Sequence, residues 1–144
     1  MTTVAQILQG KGHKVWSVSP ATLVYHALQV MAEKDVGALL VLEGDELKGI
    51  FSERDYARKV ILEGKSSREI AVKEIMSPEV ITVGPQHSVE ECMALMTDKH
   101  VRHLPVVEGD RVIGVISIGD AVKAIISERE FMIKHLENYI TGSP

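Results

Sequence analysis

His100-Val101-Arg102-His103-Leu104-Pro105-Val106-Val107-Glu108-Gly109-Asp110-Arg111-Val112-Ile113-Gly114-Val115-Ile116-Ser117-Ile118-Gly119-Asp120 reads as a strand, a tight turn, a second strand and the start of a helix. Moved back by 65 residues, the stretch falls without a gap on residues 35–55, from Asp35-Val36-Gly37-Ala38 to Ser52-Glu53-Arg54-Asp55. The chain is a tandem repeat. The same register aligns Val15 with Val80, Val18 with Val83, Pro20 with Pro85, Val24 with Val89, Met31 with Met96 and Lys34 with Lys99.

Apolar spacing names the elements inside each copy. Val24, Ala27, Leu28 and Met31 recur at helical intervals, as do Val89, Cys92, Met93 and Met96, which makes two superimposable stripes. Ser88 and Glu91 form a capping box at the start of the second of these helices. Residues 38–42 and 104–107 are unbroken apolar runs, suited to strands covered on both faces. Glu43-Gly44-Asp45 and Glu108-Gly109-Asp110 turn the chain, residues 47–51 and 112–116 bring it back, and a helix opens at Ser52 and at Ser117. Residues 15–18 and 80–83, each followed two residues later by proline, add a short strand before the striped helix. Ahead of these lies a lead-in helix, capped by Thr3 with Gln6 and carrying Val4, Ile7 and Leu8 on one face, a face repeated as Val72, Ile75 and Met76. The copies differ in the connection at residues 9–14, which is longer in the first and carries two glycines and two lysines.

The fold class is accordingly α+β (α/β). Two β-α-β-β-α repeats face each other about a pseudo-twofold axis, since neither small sheet stands alone. Residues 1–70 hold the first repeat with its lead-in helix and linker, and residues 71–127 the second repeat with its lead-in helix. Residues 128–144 form a C-terminal helix and tail, whose Phe131, Ile133, Leu136 and Ile140 stripe is placed to cover the core or a neighbouring subunit.

Composition narrows the function. A 144-residue chain with 45% hydrophobic residues buries a core, while a net charge of −4 and 4% aromatics offer neither a basic stripe nor a stacking platform for nucleic acid. A start without a charged n-region, no apolar run long enough for a membrane and one cysteine indicate a cytoplasmic protein. Cys92 takes the place of Ala27 on the helix stripe and belongs to the core, and His87, His100 and His103 lack metal-ligand spacing, so no metal site is expected.

With Gly-hydrophobic-hydrophobic-Ser-x-x-Asp closing both copies, the sequence resembles paired CBS domains, the module named after cystathionine beta-synthase. The Ser-x-x-Asp turns read in two ways. Each is a helix capping box, and each also sets a carboxylate at a strand-to-helix turn, where a ribose diol can donate to it. The resemblance implies the second use, with an adenosine ligand in the groove between repeats and contacts crossed between them. For the Asp120 site it implies Ser117 and Asp120 on the ribose, Arg102 and His103 on phosphate, and Ser17, Gly37 and Ala38 near the base. For the Asp55 site it implies Ser52 and Asp55 on the ribose, Arg54 on phosphate and Thr82 near the base. Lys14 is a further phosphate candidate, and Trp16 either flanks an adenine or packs. Guanidinium suits phosphate because it binds bidentately, although Arg102 also fits a salt bridge to Asp98 or Glu108.

The expected function is a non-catalytic regulatory module that binds AMP, or ATP, ADP, NAD or S-adenosylmethionine, and passes occupancy to a separate effector, as a homodimer. The competing reading is a ligand-free dimerisation protein. An enzyme is not expected, because no base and nucleophile pair stands out.

Overall fold

The computed structural model describes residues 1–142. Helix α1 spans Val4–Lys11, strand β1 Ser17–Val18, α2 Val24–Lys34, β2 Ala38–Glu43 and β3 Glu46–Ser52. A short α3, Glu53–Tyr56, runs into a wide π turn, Ala57–Ile61, and a 3₁₀ turn at Val72–Glu74 opens the second half. Then come α4 (Val89–Lys99), β4 (His103–Glu108), β5 (Arg111–Ser117) and α5 (Ile118–Thr141). The result is a mixed α+β protein with two small sheets and five helices among the described residues.

The repeat extends to fine detail. Both hairpins are antiparallel and carry an irregularity at equivalent places, Val41/Leu42 and Val106/Val107. Both striped helices end on a residue in the left-handed region, Asp35 at φ 54° and His100 at φ 56°, residue types that tolerate it better than most. The three central residues of β2 and of β4 are buried in succession, as strands covered on both faces should be.

One expected strand is missing. In the first sheet β1 pairs in parallel with β2, and the Leu40 N–H donates to the Trp16 carbonyl at 3.1 Å. Pro105 stands in the place of Leu40 and has no N–H to give. Residues 80–83 therefore pair with the second sheet only through a bridge between Val83 and Val106, and among the described residues that sheet has two strands. The second lead-in helix is likewise reduced to its 3₁₀ turn.

The two lead-in segments cross over. Val4 and Leu8 are buried in the second core with Cys92, Met96, Leu104 and Ile116, whereas Val72 and Ile75 are buried in the first with Val24, Met31 and Phe51. The backbone repeats the exchange. Val4 N–H donates to His87 O (2.8 Å) and Val89 N–H to Thr2 O (2.9 Å), while Val72 N–H donates to Thr22 O (2.8 Å) and Val24 N–H to Ile70 O (3.0 Å). This reciprocity is the pseudo-twofold relation, and glycine permits it. A Cβ on Gly114 would lie 2.7 Å from Leu8 Cδ2, and one on Gly49 would lie 2.8 Å from both Met76 Sδ and the Ser77 carbonyl.

The C-terminal helix is not a separate element. Helix α5 runs unbroken from the Ser117 turn to Thr141, and its far half leaves Phe131, Ile133, Leu136 and Ile140 exposed, so it does not cover this chain's own core. Ser143 and Pro144 lie outside the described residues. Among the described residues, no helix is long and apolar enough to cross a membrane.

Candidate functional site: two clefts between the repeats

Packing the halves face to face leaves a cleft at each Ser-x-x-Asp turn. In both, the chain leaves the second strand of a hairpin and enters a helix, and the serine caps it. The Asp120 N–H donates to Ser117 Oγ at 3.1 Å while Asp120 Oδ2 accepts from the Ser117 N–H at 2.9 Å. The Asp55 N–H donates to Ser52 Oγ at 3.2 Å, and Asp55 Oδ2 accepts from the Ser52 N–H at 2.9 Å and its hydroxyl at 3.1 Å. The capping reading is thus realised at both turns, with each carboxylate aimed by its cap.

The Asp120 cleft is a cavity of about 380 Å³ lined by Lys11, Gly12, Lys14 and Trp16, by residues 35–40, and by Ile50, His103, Val115 and Ser117. Its size falls in the range of small-molecule pockets. One repeat supplies Ser117 and His103 and the other supplies Gly37 and Ala38, the crossed arrangement set out from the sequence. Lys14 and Trp16 are also here, Trp16 half-buried against the first core with Lys34 Nζ 4.6 Å from its ring centre. A residue passed over in the sequence, Lys11, reaches in from α1. Its ammonium donates to Asp120 Oδ2 at 2.6 Å and to the Val115 carbonyl at 2.7 Å. Burial pushes the Asp120 carboxyl up, but the Lys11 ammonium and the Ser117 N–H outweigh it and hold the group below the ordinary carboxylate value.

The Asp55 cleft is larger, about 610 Å³, and more highly charged. Arg54, Arg58, Lys59 and Arg102 line it together with Glu53, Asp55 and Glu79. Lys59 lies 3.4 Å from Asp55 Oδ1, and the Ser77 hydroxyl donates to the same oxygen at 3.4 Å. The guanidinium groups of Arg54, Arg58 and Arg102 form no hydrogen bond or ion pair with any described residue. The π turn accounts for part of this. It directs Arg58 and Lys59 into the cleft, whereas their counterparts on the regular helix α5, Lys123 and Ala124, do not line the Asp120 cleft.

Four placements differ from the sequence reading, the first being that Asp120 does not itself line the cavity of about 380 Å³, although its partners Ser117 and Lys11 do. Arg102 lines the Asp55 cleft and not the Asp120 cleft, whereas His103 lines both, the chain bending at Arg102 just before β4 begins. Neither the salt bridge to Asp98 nor that to Glu108 forms. Ser17 and Thr82 are exposed and line neither cleft. It is the preceding residues, Trp16 and Ile81, that face inward.

His103, Gly37 and Ile50 are shared by both clefts and form the wall between them. Burial, reinforced by Lys11 and Arg102 and opposed by Asp120 and Glu53, lowers the His103 pKa, so its imidazole is neutral at pH 7. Cys92 is fully buried on α4, its thiol pushed up to about 11 by desolvation, as suits a core residue. Among the described residues no three His, Cys, Asp or Glu side chains converge as metal ligands.

The repeat, the reciprocal packing and the twin capped aspartates agree with comparison to known proteins: the CBS-domain family model matches residues 11–62 and again residues 72–127. The chain belongs to the CBS-domain family. It is 40% identical to the mitochondrial CBS domain-containing protein CBSX3 of Arabidopsis thaliana, over 98% of this chain and 73% of that protein. The CBS domain-containing protein YhcV of Bacillus subtilis is 33% identical over 74% of this chain and 76% of its own length. Among solved structures, a Burkholderia ambifaria protein with CBS domains, named as a signal-transduction protein, superposes with a TM-score of 0.85 at 52% identity, covering 88% of this chain and 95% of that one. Tandem CBS pairs are regulatory modules that often bind adenosine ligands.

Proposed function

We propose that this CBS pair is a non-catalytic sensor that binds an adenosine ligand in the Asp120 cleft and transmits occupancy to a separate effector. AMP is the first candidate, ahead of ATP, ADP, NAD and S-adenosylmethionine. The supporting observation is the composition of that cleft. A capped, ionised carboxylate stands at a strand-to-helix turn beside the cavity, which Ser117 of that turn lines with the small residues Gly37 and Ala38, and Lys11, which holds the carboxylate, lines it with Lys14. The carboxylate suits a ribose diol, the apolar wall suits a purine and the ammonium groups suit phosphate. The Asp55 cleft takes a second, more highly charged ligand. No catalytic step enters this reading.

Calorimetric titration of AMP, ATP, NAD and S-adenosylmethionine against the wild type, Asp120→Ala and Asp55→Ala tests it. Losing a charged acceptor of the diol should weaken AMP about ten- to a hundredfold in Asp120→Ala, with a smaller change in Asp55→Ala. A folded wild type that binds none of the four at millimolar concentration would remove the sensor reading.

The exposed face of α5 favours assembly as a second role. Ile118, Val122, Ile126, Ile133, Leu136 and Ile140 follow one side of the helix and are all exposed. The CBS-CP12 protein of bloom-forming cyanobacteria, 28% identical, is hexameric. A homodimer through α5 predicts that Leu136→Lys lowers the mass measured by light scattering while the far-UV circular dichroism stays that of the folded chain. An unchanged mass would exclude α5 as the contact.

A further inference from the structure

Lys11 owes its position to an asymmetry between the two junctions. Six residues, 9–14, separate the lead-in segment from the first strand region in one repeat, and three, Ser77-Pro78-Glu79, do so in the other. At the shorter junction the backbone does the work, with Ser77 and Ile50 exchanging N–H donations of 2.9 and 3.1 Å. At the longer one α1 continues to Lys11 and stops at Gly12, whose φ of 102° strongly favours glycine. The Val115 carbonyl, counterpart of Ile50, is met by the Lys11 ammonium instead of a backbone N–H. The same ammonium holds Asp120.

We propose that Lys11 makes the Asp120 cleft selective for ligands that carry a phosphate. Its ammonium engages the carboxylate that a ribose diol would use, and it turns to the phosphate when a nucleotide binds. This rests on the reading of the Asp120 cleft as the adenosine site. Charge supply leaves the task to few residues. The Asp55 cleft draws Arg54, Arg58 and Lys59 from its own helix, but the equivalent positions at Asp120 are Gly119, Lys123 and Ala124, none of which lines the cavity. Arg102 faces the other cleft, and Lys11 and Lys14 are the cations left. A neutral nucleoside competing for Asp120 weakens a 2.6 Å charged hydrogen bond and offers the ammonium nothing in exchange. A nucleotide brings the replacement anion with it, so the pair disfavours adenosine and admits AMP. Such discrimination combines repulsion of one ligand with attraction of the other.

The test is calorimetric titration of AMP and adenosine against the wild type, Lys11→Met, Lys11→Arg and Asp120→Ala, with melting curves to verify folding. The wild type should bind AMP at least about tenfold tighter than adenosine. Lys11→Met should weaken AMP about ten- to a hundredfold and leave adenosine equal or tighter, and Lys11→Arg should keep the preference. If AMP binding depends on Asp120 yet the AMP-to-adenosine ratio is the same in Lys11→Met, the role of Lys11 is wrong and the site stands. If AMP binding is indifferent to Asp120→Ala, or absent, the site reading fails and the proposal with it.

Discussion

The Asp55 and Asp120 clefts grow from one motif 65 residues apart and have become chemically unlike. Asp55 is surrounded by charges from its own helix, made accessible by a π turn, and by Arg102 from the other repeat. Asp120 sits on a regular helix whose equivalent positions bring no charge to the cleft, and it receives its cation from α1, 109 residues away in sequence. The difference teaches that duplication preserves the geometry of a capped carboxylate while short insertions and single substitutions decide what surrounds it. Three extra residues ahead of Val15, a widened turn after Tyr56 and the pairs Arg54/Gly119, Lys59/Ala124 and Gly37/Arg102 carry the asymmetry of the clefts.

The largest expected effect tests whether the two crossings are equally tight. Gly49→Ala should destabilise the fold by about 2 to 3 kcal/mol in urea unfolding, since the new methyl meets the rigid Ser77 carbonyl. Gly114→Ala should cost about 1 to 2 kcal/mol, because Leu8 Cδ2 is the end of a movable side chain. Equal costs would mean that the crossings yield alike.

Acid should separate the halves further. His103 has Ala38 as its counterpart, so its titration belongs to the second repeat alone. Its folded pKa lies below the ordinary 6.5, so the unfolded chain takes up the proton first, and stability is full above about pH 6.5 and declines below it. Asp120, also lowered, adds stability that is lost only as the pH falls through its folded value, below about 3.9. Urea unfolding between pH 7.5 and 5 should therefore flatten in His103→Gln, and an unchanged slope would place the titration elsewhere.

The smallest effect concerns the missing strand. Pro105→Leu restores the N–H that Leu40 uses in the first sheet and should gain no more than about 1 kcal/mol. The informative readout is amide exchange. Residue 105 should become protected if proline is what removed the strand, and fast exchange there would assign the loss to residues 80–83 themselves.

Most of the fold was legible because burial repeats at the period of the elements. The stripe of Val24, Ala27 and Met31 is fully or nearly fully buried, as is that of Val89, Cys92 and Met96. Both Ser-x-x-Asp turns form the caps their spacing implies. The crossing of the lead-in segments was not legible, because an amphipathic face such as Val4 and Leu8 shows that it will be buried without showing against what. The signal for the lost strand was present in Pro105, read only as part of an apolar run. That Arg102 lines only the Asp55 cleft while His103 lines both depends on a bend at Arg102, which no local pattern signals. Lys11 had no local signal, since a lysine in the last turn of a helix is ordinarily a solvated charge that favours the helix dipole.

The crossed lead-in segments also set the timing of folding during synthesis. Helix α1 is made long before its core partners Cys92, Leu104 and Ile116, so its apolar side waits without a surface to join until nearly the whole pair has left the ribosome. The first repeat meanwhile lacks Val72 and Ile75, which seal its own core. A chain halted between the repeats therefore carries two unfinished apolar surfaces instead of one completed half, which makes it a natural client for chaperones and ties the maturation of each half to translation of the other.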